Sequence, residues 1–529
     1  MNPPTRILRP VAALAVLLGA SACSSIDNYA GAADDSGDDG YGESEDSSGS
    51  EGQGTDSESG TEDTGDTGTD TSGDESDPEE GLPDPMLVTS ICDPLQGQVI
   101  AYDLAEAHAE IAPELVRESV MTSAIVPPIP LSTRPFFNHF HFDHPPATET
   151  TLAVSGELWK PQSMLNVASP RFQLQFAVSG PELSDADRPA IDLAIVVDIG
   201  PSMVGFPLEL ANEALLAVGG SLRAGDRVTL ISAGDQAQVL SSALVQDGMA
   251  PSLPNQFAEL PPASAAVIGE ALDLAYAQLA QLAELEPLPE ARSRVMLISA
   301  GHFAIDPSLL ELVDGEAELG TTLTTVGVGA VDQFAESSLR ALAGVGKGAS
   351  VYGPHADPLW LALGEQFTSK MIAAATDVEV TLILPPGLAI SERDPSYGGD
   401  MPSEIELGWL GPNDALVFHQ ELESCGELDL GNAIRVQLEW SEPGVDEIQQ
   451  LIWEWPLIEA GEGELTTLKG AAVLAYTDAL IAYRDNLDAD ARYGALLDAL
   501  SHISEALGKM PEDPDLIEMS EVLAKLEST

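Results

Sequence analysis

The densest group of side chains that could bind a metal consists of His139, His141, Asp143 and His144. Two imidazoles and a neighbouring carboxylate at this spacing can hold zinc at the end of a strand, so a zinc hydrolase is one hypothesis for the chain. Phenylalanines at positions 136, 137, 140 and 142 interleave with these histidines. That pattern favours an alternating apolar strand or a packed turn with the histidines on its polar side, which is the interpretation we prefer.

A second polar group follows an apolar run. Residues 193–197 are all apolar and include β-branched side chains, which is typical of a parallel strand buried on both faces. The run ends at Asp198, and the next loop carries Gly200 and Ser202 before a segment with helical spacing. Because ligand crevices in open α/β sheets lie at the carboxyl ends of strands, we expect Asp198 to lie beside one.

Residues 196–203, V-V-D-I-G-P-S-M, resemble the D-x-S-x-S signature of von Willebrand factor type A domains, and the resemblance extends over about 189–375. The segments N-H-F-H-F-D-H-P-P upstream and D-V-E-V-T-L-I-L-P downstream resemble a bacterial lipoprotein branch with an extra β domain. In type A domains one Asp and two Ser hydroxyls of the signature hold Mg²⁺. A Thr and a second Asp complete the shell, and a partner's carboxylate fills the open position. The resemblance therefore implies a Rossmann-like α/β fold with a metal-ion-dependent adhesion site.

The metal site implied by this resemblance is degenerate. Asp198 and Ser202 match the first Asp and the second Ser, but Gly200 replaces the first Ser, Ala266 the Thr and Ala300 the second Asp. Mg²⁺ is costly to dehydrate and requires octahedral oxygen ligands, and one carboxylate with one hydroxyl supplies little of that shell. We therefore expect no cofactor, and we expect Asp198 to hydrogen-bond its own loop. A Mg²⁺-dependent adhesin that uses Asp198 and Ser202 is the alternative.

Other side chains near this edge of the predicted sheet leave two further alternatives. Ser264 and Asp306 lie in loops from which they could compensate for the missing metal ligands. Asp198, Ser202 and His302 together suggest nucleophilic catalysis, but the chain has no G-x-S-x-G elbow. We do not predict an enzyme.

The H-x-H-x-D-H spacing of residues 139–144 also resembles the metal motif of metallo-β-lactamase-like hydrolases. That resemblance implies another histidine some tens of residues further on. The next histidine here is His302, inside the type A region, which argues against the zinc hydrolase.

Strands and helices alternate through the type A region, for which we predict the bounds 189–376. Strand-like runs occupy 227–232, 294–299, 321–328 and 350–352, and helical spacing occupies 264–285, 333–343 and 357–375. This alternation predicts a parallel-type central sheet covered on both faces.

The flanks predict a second module. Segment 87–188 contains a helical stretch at 103–121 and strand-like runs at 151–158 and 171–178, and segment 377–460 has an antiparallel β pattern. We expect these strands to pair in a β-sandwich-like module into which the type A domain is inserted. Segment 461–529 is predicted to form C-terminal helices.

The chain begins with an export pattern. In residues 1–22, arginines precede an apolar core at 11–18 that is too short to span a bilayer. Residues 20–23, A-S-A-C, resemble a bacterial lipobox, which implies that Cys23 is lipidated, and Ser24 implies sorting to the outer membrane. We expect a lipid-anchored protein of the bacterial cell envelope, in the outer membrane or at the cell surface. A plain secreted protein is the alternative.

Residues 23–86 are mainly Ser, Gly, Thr, Asp and Glu without Lys or Arg. They cannot bury enough apolar surface to fold, and their like charges extend the chain, so we predict a disordered acidic tether. Calcium binding by the Asp/Gly runs is the alternative, but 35–40 lacks an oxygen side chain at the third position of a calcium loop.

The 529-residue chain carries 21 Lys and Arg against 87 Asp and Glu, a formal net charge of −66. This charge argues against nucleic acid and anionic lipid as partners of the folded part. Of the three cysteines, Cys92 and Cys425 remain as an intrachain disulfide candidate if Cys23 is acylated, because export favours disulfides. We predict a membrane-anchored lipoprotein that presents a type A domain to a protein partner in the envelope or on another cell. The β or helical segments could instead carry the binding.

Overall fold

The computed structural model describes residues 95–102, 104, 111–159, 171–246, 252–254, 263–288, 291–391, 408–425, 428–443, 447–461, 465–485 and 488–527. The predicted export signal, Cys23, the acidic tether and Cys92 lie outside these residues, so the predictions for them stay predictions.

Strands occur on both sides of the type A region as well as inside it. In chain order they are β1 Gln98–Tyr102, β2 Ala153–Trp159, β3 Arg171–Ser179, β4 Ile191–Asp198, β5 Arg227–Ala233, β6 Ala237–Leu244, β7 Arg292–Ser299, β8 Thr322–Val328, β9 Ser350–Gly353, β10 Ala375–Leu384, β11 Leu388–Ile390, β12 Gly408–Leu410, β13 Ala415–Ser424, β14 Ala433–Ser441 and β15 Ile448–Pro456.

The helices fall between the strands of the type A region and at both ends of the described chain. They are α1 Ile111–Ser123, α2 Thr133–His139, α3 Phe206–Ser221, α4 Ile268–Leu285, α5 Pro307–Glu318, α6 Glu336–Val345, α7 Ala356–Trp360, α8 Phe367–Met371, α9 Leu465–Arg484, α10 Ala489–Lys509 and α11 Pro514–Glu527.

The central sheet has the strand order β6-β5-β4-β7-β8-β9. All its neighbours pair in parallel except β6, which pairs antiparallel with β5 at the edge. Counted from β4 as the first strand, the order is 3-2-1-4-5-6, the doubly wound arrangement. Its switch point lies between β4 and β7, where successive crossovers turn to opposite sides of the sheet. This is the α/β fold that the sequence predicts.

Both faces of β4 are covered, which explains its unbroken apolar sequence. Every residue of the strand is buried. Leu193 and Ile195 pack in the core on the α3 side, and Ala194 and Val196 pack in the core on the α4 side. Helices on both sides of a parallel sheet leave no polar face, so alternation is lost.

The prediction for this domain omitted α5 and β6 and gave one helix wrong bounds. Strand β6 was not predicted, because this edge strand is largely exposed and has no apolar run. The single helix predicted over 357–375 is wrong: α7 is followed by a π-helical turn at Leu361–Glu365 and by α8, which ends at Met371. The buried guanidinium of Arg294 binds the Met371 carbonyl at 2.6 Å, and the chain then becomes extended to enter β10.

Buried cations hold the two ends of the central domain at the amino-terminal edge of its sheet. Arg188, just before β4, donates to both carboxylate oxygens of Asp226 at 3.0 and 2.6 Å. Asp226 also accepts from the backbone N–H of Ile191 at the start of β4. Arg294, near the start of β7, holds Met371 where the chain leaves the domain. The opposite edge, with the carboxyl ends of the strands, carries Asp198.

The strands on either side of the central domain form a β-sandwich. One sheet has the order β1-β10-β14-β15 with β12 also paired to β10, and the other has the order β11-β13-β3-β2. Strands β2 and β3 precede the central domain, and their neighbour β13 follows it. The sandwich therefore closes across the insertion, as the sequence predicts. Tyr102, Phe176 and Phe418 pack together in its core.

The C-terminal helices share a core with α1 and α2 and cover the outer side of β3 and β13. Helix α9 is long and apolar enough to cross a membrane by length and composition, but 67% of that apolar window is buried inside the protein. Its Lys469 pairs with Asp513 and Asp515 at 2.9 and 2.6 Å. These contacts are those of a core helix.

Candidate functional site

Asp198 lies at the carboxyl end of β4, beside the end of β7 and therefore at the switch point of the central sheet. Crevices that bind ligands in doubly wound folds occur at this position. The Asp198 residue is only 1% exposed, so its carboxylate is held within the end of the sheet. Its bonding partners therefore decide what the site can bind.

Each carboxylate oxygen of Asp198 accepts a hydrogen bond from inside the domain. Oδ1 accepts from the backbone N–H of Gly200 at 2.7 Å, and Oδ2 accepts from the Ser299 hydroxyl at 2.7 Å. The Ser299 Oγ in turn accepts from the N–H of Gly301 at 2.9 Å. Burial raises the pKa of Asp198, and the bonds from Gly200 and Ser299 partly oppose that rise. The carboxylate thus joins the β4 and β7 loops.

The positions that would supply the other metal oxygens are packed with apolar atoms. A Cβ added to Gly200 would lie 2.8 Å from the Ala266 Cβ, so the loop bearing Ala266 occupies the space of a side chain here. Ala300 is fully buried, and its backbone N–H donates to the Met203 sulfur at 3.2 Å. Mg²⁺ requires about six oxygen ligands at short range. The residues present do not fit such an ion.

The two residues that could compensate are engaged elsewhere. The Ser264 hydroxyl donates to Asp235 at 2.7 Å, and the hydrogen bonds from the side chain and backbone of Ser264 lower the pKa of the Asp235 carboxyl. Asp306 caps the N-terminus of α5 by accepting from the N–H of Leu309 at 2.9 Å. Both side chains thus stabilise their own loops.

Asp198, Ser202 and His302 do not form a catalytic triad. The His302 Nε2 lies 2.9 Å from the backbone carbonyl of Gln333. A triad requires the acid to orient the imidazole, whereas the oxygens of Asp198 bind Gly200 and Ser299. This geometry does not support nucleophilic catalysis at Ser202.

An open groove of about 1070 Å³ adjoins this loop. Ser202 lies on its wall together with His302 and the residues at the start of α4. The described lining residues include apolar Val267, Ile268, Phe303, Leu309 and Leu312 and acidic Glu270, Asp273 and Asp306. The groove combines apolar contact area with negative charge. It lies where the sequence placed a crevice, but its lining residues could not be identified from local pattern.

The segment with the histidine cluster is a helix followed by an irregular turn. The predicted alternating strand is wrong, because α2 ends at His139 and the following residues are extended without strand pairing. Thr133 and the phenylalanines at positions 136, 137 and 140 have helical spacing, and all four residues are buried. Residues 140–146 form the packed turn, which was the other structure that the sequence suggested for this segment.

The side chains of the cluster diverge. His139 faces Glu114 at 3.9 Å, the exposed His141 lies 3.3 Å from Asp143, and the His144 Nδ1 lies 3.2 Å from the Ser155 hydroxyl. Within the part of the chain that the structure describes, no three His, Cys, Asp or Glu side chains converge closely enough to hold a metal. This geometry does not support the zinc hydrolase.

Cys425, at the end of β13, is disulfide-bonded in the structure. Its predicted partner, Cys92, lies outside the described residues, so the Cys92–Cys425 pairing stays a prediction.

Solved structures similar to this chain include several type A proteins. One is von Willebrand factor type A from Catenulispora acidiphila, with a TM-score of 0.42 and 15% identity, covering 68% of this chain and 87% of that chain. The ArnB paralog VWA2 from Sulfolobus acidocaldarius has a TM-score of 0.37 and 14% identity, covering 71% and 98%. BatB from Bacteroides thetaiotaomicron has a TM-score of 0.29 and 18% identity, covering 34% and 97%. No protein-family model and no curated protein matches the chain.

The fold of the central domain follows from its own topology. The doubly wound strand order, the antiparallel edge strand β6 and the signature loop at the switch point occur together in residues 191–371. These residues have the fold of a von Willebrand factor type A domain, as the sequence predicts.

Proposed function

We propose that this chain is an exported, lipid-anchored protein whose type A domain binds another protein without a metal ion. The observation that carries the proposal is the engagement of Asp198, because both oxygens of the chief metal ligand accept bonds from within the domain. On this proposal the protein is a binding module and not an enzyme.

Metal independence is supported by what a bound Mg²⁺ would have to displace. An ion at Asp198 would compete with the Gly200 N–H and the Ser299 hydroxyl, which would then lose their acceptor. Ala266 and Ala300 offer no side-chain oxygen in return. Binding energy therefore has to come from the protein surface around the loop.

The groove beside Ser202 supplies such a surface. Its apolar floor offers burial to a side chain of the partner, and its acidic residues favour a basic flank. Val204 and Phe206, just after Ser202, are 61% and 42% exposed and extend the apolar area. The proposed partner is a protein segment that combines an apolar side chain with Lys or Arg, in the envelope or on another cell.

Pull-down from envelope extracts and from intact cells of other strains tests this function. The wild-type chain, added with Mg²⁺ or with EDTA, is expected to recover the same partner in equal amount. Ser202→Arg, which adds a bulky, positively charged side chain to the wall of the groove, is expected to abolish recovery. Leu497→Arg, at a 47% exposed position on α10, is the matched control and is expected to leave recovery unchanged.

Two outcomes would contradict the proposal. Recovery that requires Mg²⁺ would establish the metal-dependent adhesin instead. Recovery that is lost with Leu497→Arg and kept with Ser202→Arg would move the binding site to the helical segment. A Tm raised by several degrees in millimolar Mg²⁺ would also count against metal independence, since a ligand selective for the folded state stabilises it.

Lipid anchoring is supported by the lipobox-like A-S-A-C at residues 20–23. Replacing Cys23 by Ser is expected to move the protein from the membrane fraction to the soluble exported fraction. Mass spectrometry of the wild-type N-terminal peptide is expected to show an acylated cysteine. An unmodified N-terminus with unchanged membrane association would refute the anchor.

A further inference from the structure

A second cavity lies apart from the groove, where α2 and the turn after it meet the end of β3 and the start of β13. Its volume is about 320 Å³, at the lower end of the range for ligand pockets. The lining residues that decide its chemistry are Phe137, Phe140, His144, Ser179, Glu182 and Asp414. A space of this size suits a small organic molecule or one side chain rather than a large cofactor.

Two buried polar atoms of this lining have no hydrogen-bond partner. The Ser179 residue is 3% exposed, and neither its Oγ nor the His144 Nε2 is bonded. The other ring nitrogen of His144 lies 3.2 Å from the Ser155 hydroxyl, which orients the imidazole. Buried polar groups in folded proteins are nearly always paired with protein or with a bound molecule. Ser179 and His144 therefore mark a place for a ligand.

The charge of the lining selects the type of ligand. Burial lowers the pKa of His144 to about 4, so its ring is neutral at neutral pH. Glu182 and Asp414 are the acidic groups among the described lining residues, and none of those residues is Lys or Arg. The cavity thus presents acceptors and negative charge, which disfavours an anion.

We propose that this cavity binds a primary ammonium group. An ammonium has three donors and no acceptor, so it can donate to the two unpaired atoms, Ser179 Oγ and His144 Nε2, while the negative charge of Glu182 and Asp414 favours a cation over a neutral group. Phe137 and Phe140 add apolar surface for the carbon chain that carries the ammonium group. The ammonium group is carried either by a lysine side chain of a peptide or by a free alkylamine. The proposal does not depend on the groove beside Ser202.

Calorimetric titration of the full exported chain with n-butylammonium tests this assignment. 1-Butanol, which has the same carbon chain without the charge, is the matched ligand control and is expected to bind at least tenfold more weakly. Nα-acetyl-lysine amide and spermidine separate the two sources, since a peptide site favours the former and a free-amine site the latter. Either preference supports the ammonium assignment.

Variants locate the binding in the cavity. Ser179→Ala is expected to lower the affinity for butylammonium about tenfold, because a hydrogen bond to a charged group is lost. Glu182 is exposed, so Glu182→Gln removes the charge without disturbing the packing. This variant is expected to lower the affinity for butylammonium severalfold and to make that affinity less dependent on salt. Leu497→Ala, at a 47% exposed position that does not line the cavity, is expected to leave butylammonium binding unchanged.

Three results would overturn the proposal. Equal affinity for 1-butanol and butylammonium would show that charge is not recognised. Undiminished binding to both Ser179→Ala and Glu182→Gln would place the amine elsewhere. Absence of any heat with all four ligands would leave the cavity as a site for ordered water only.

Discussion

Replacing Asp198 tests whether its carboxylate has a structural role instead of a metal-binding one. Asp198→Ala removes the acceptor of the Gly200 N–H and of the Ser299 hydroxyl, both bonded at 2.7 Å. Asp198 is only 1% exposed, so water does not readily replace the lost carboxylate oxygens. The variant is therefore expected to be destabilised even in the absence of any metal.

The magnitude follows from the two donors. A buried donor left without an acceptor costs about 1–3 kcal/mol, so two cost about 4 kcal/mol. Burial raises the pKa of Asp198, which means that burying its charge has a free-energy cost, and removal of the carboxylate offsets part of the loss. The net loss is about 3 kcal/mol, or roughly 10 °C in Tm for a domain of this size.

Asp198→Asn is the matched companion variant. The asparagine carbonyl can still accept from the Gly200 N–H, and its amide can donate to the Ser299 Oγ if the hydroxyl rotates. The buried charge disappears at the same time. We expect a loss of about 1 kcal/mol or less relative to wild type.

Scanning calorimetry of the full exported chain, in EDTA and in Mg²⁺, measures both variants. The expected order of Tm is wild type, Asp198→Asn and then Asp198→Ala, with no dependence on Mg²⁺. The structural role is refuted if Asp198→Ala keeps the wild-type Tm in EDTA. It is refuted equally if wild type alone gains stability from Mg²⁺, because Asp198 would then act as a metal ligand.

Three further perturbations concern the rest of the folded chain. Burial lowers the pKa of His419 to about 4, whereas the pKa in the unfolded chain is about 6.5. Because the unfolded chain takes up the proton first, the contribution of His419 to the free energy of unfolding is retained above pH 6.5 and falls by roughly 3 kcal/mol towards pH 4. Urea titrations at a series of pH values measure that loss. Gly470→Ala places a Cβ 1.9 Å from Gln175 Oε1 and is expected to cost about 2 kcal/mol in the same titration at neutral pH. Arg188→Met leaves Asp226 buried without its cation and is expected to cost about 3–5 kcal/mol, measured as the Tm of the central domain.

Matched variants control these measurements. His419→Gln removes one titrating ring and is expected to reduce the acid-induced loss, leaving the share of His144, whose pKa burial also lowers to about 4. His141→Gln, at an exposed position, is expected to leave the whole loss in place. Gly494→Ala, with open space around its Cβ, is expected to be neutral or stabilising, unlike Gly470→Ala. A wild-type stability that does not change between pH 6.5 and pH 4 would contradict the assignment of His419 as a neutral buried ring.

Local pattern was sufficient for the buried strands of the central domain, but not for the edge strand β6 or for the end of the helix predicted over 357–375. The apolar run that became β4 indicates burial on both faces, and this pattern is visible in residues that are adjacent in the chain. The polar residue at its end had to fall at the carboxyl edge of the sheet, so Asp198 could be located in advance. The helical spacing of Phe136, Phe137 and Phe140 was also present in the sequence, and the alternating strand was the wrong choice of period.

Contacts between distant residues were decided by the tertiary structure. Ser299 lies 101 residues from Asp198, and only the pairing of β4 with β7 brings its hydroxyl to the carboxylate. Likewise, Ala266 lies close to Gly200 only because of the position of the loop before α4. Ser179 and His144 line one cavity because β3 ends beside the turn after α2. Amino-acid type and spacing determine local burial and chain direction, whereas chain topology determines which polar atoms meet.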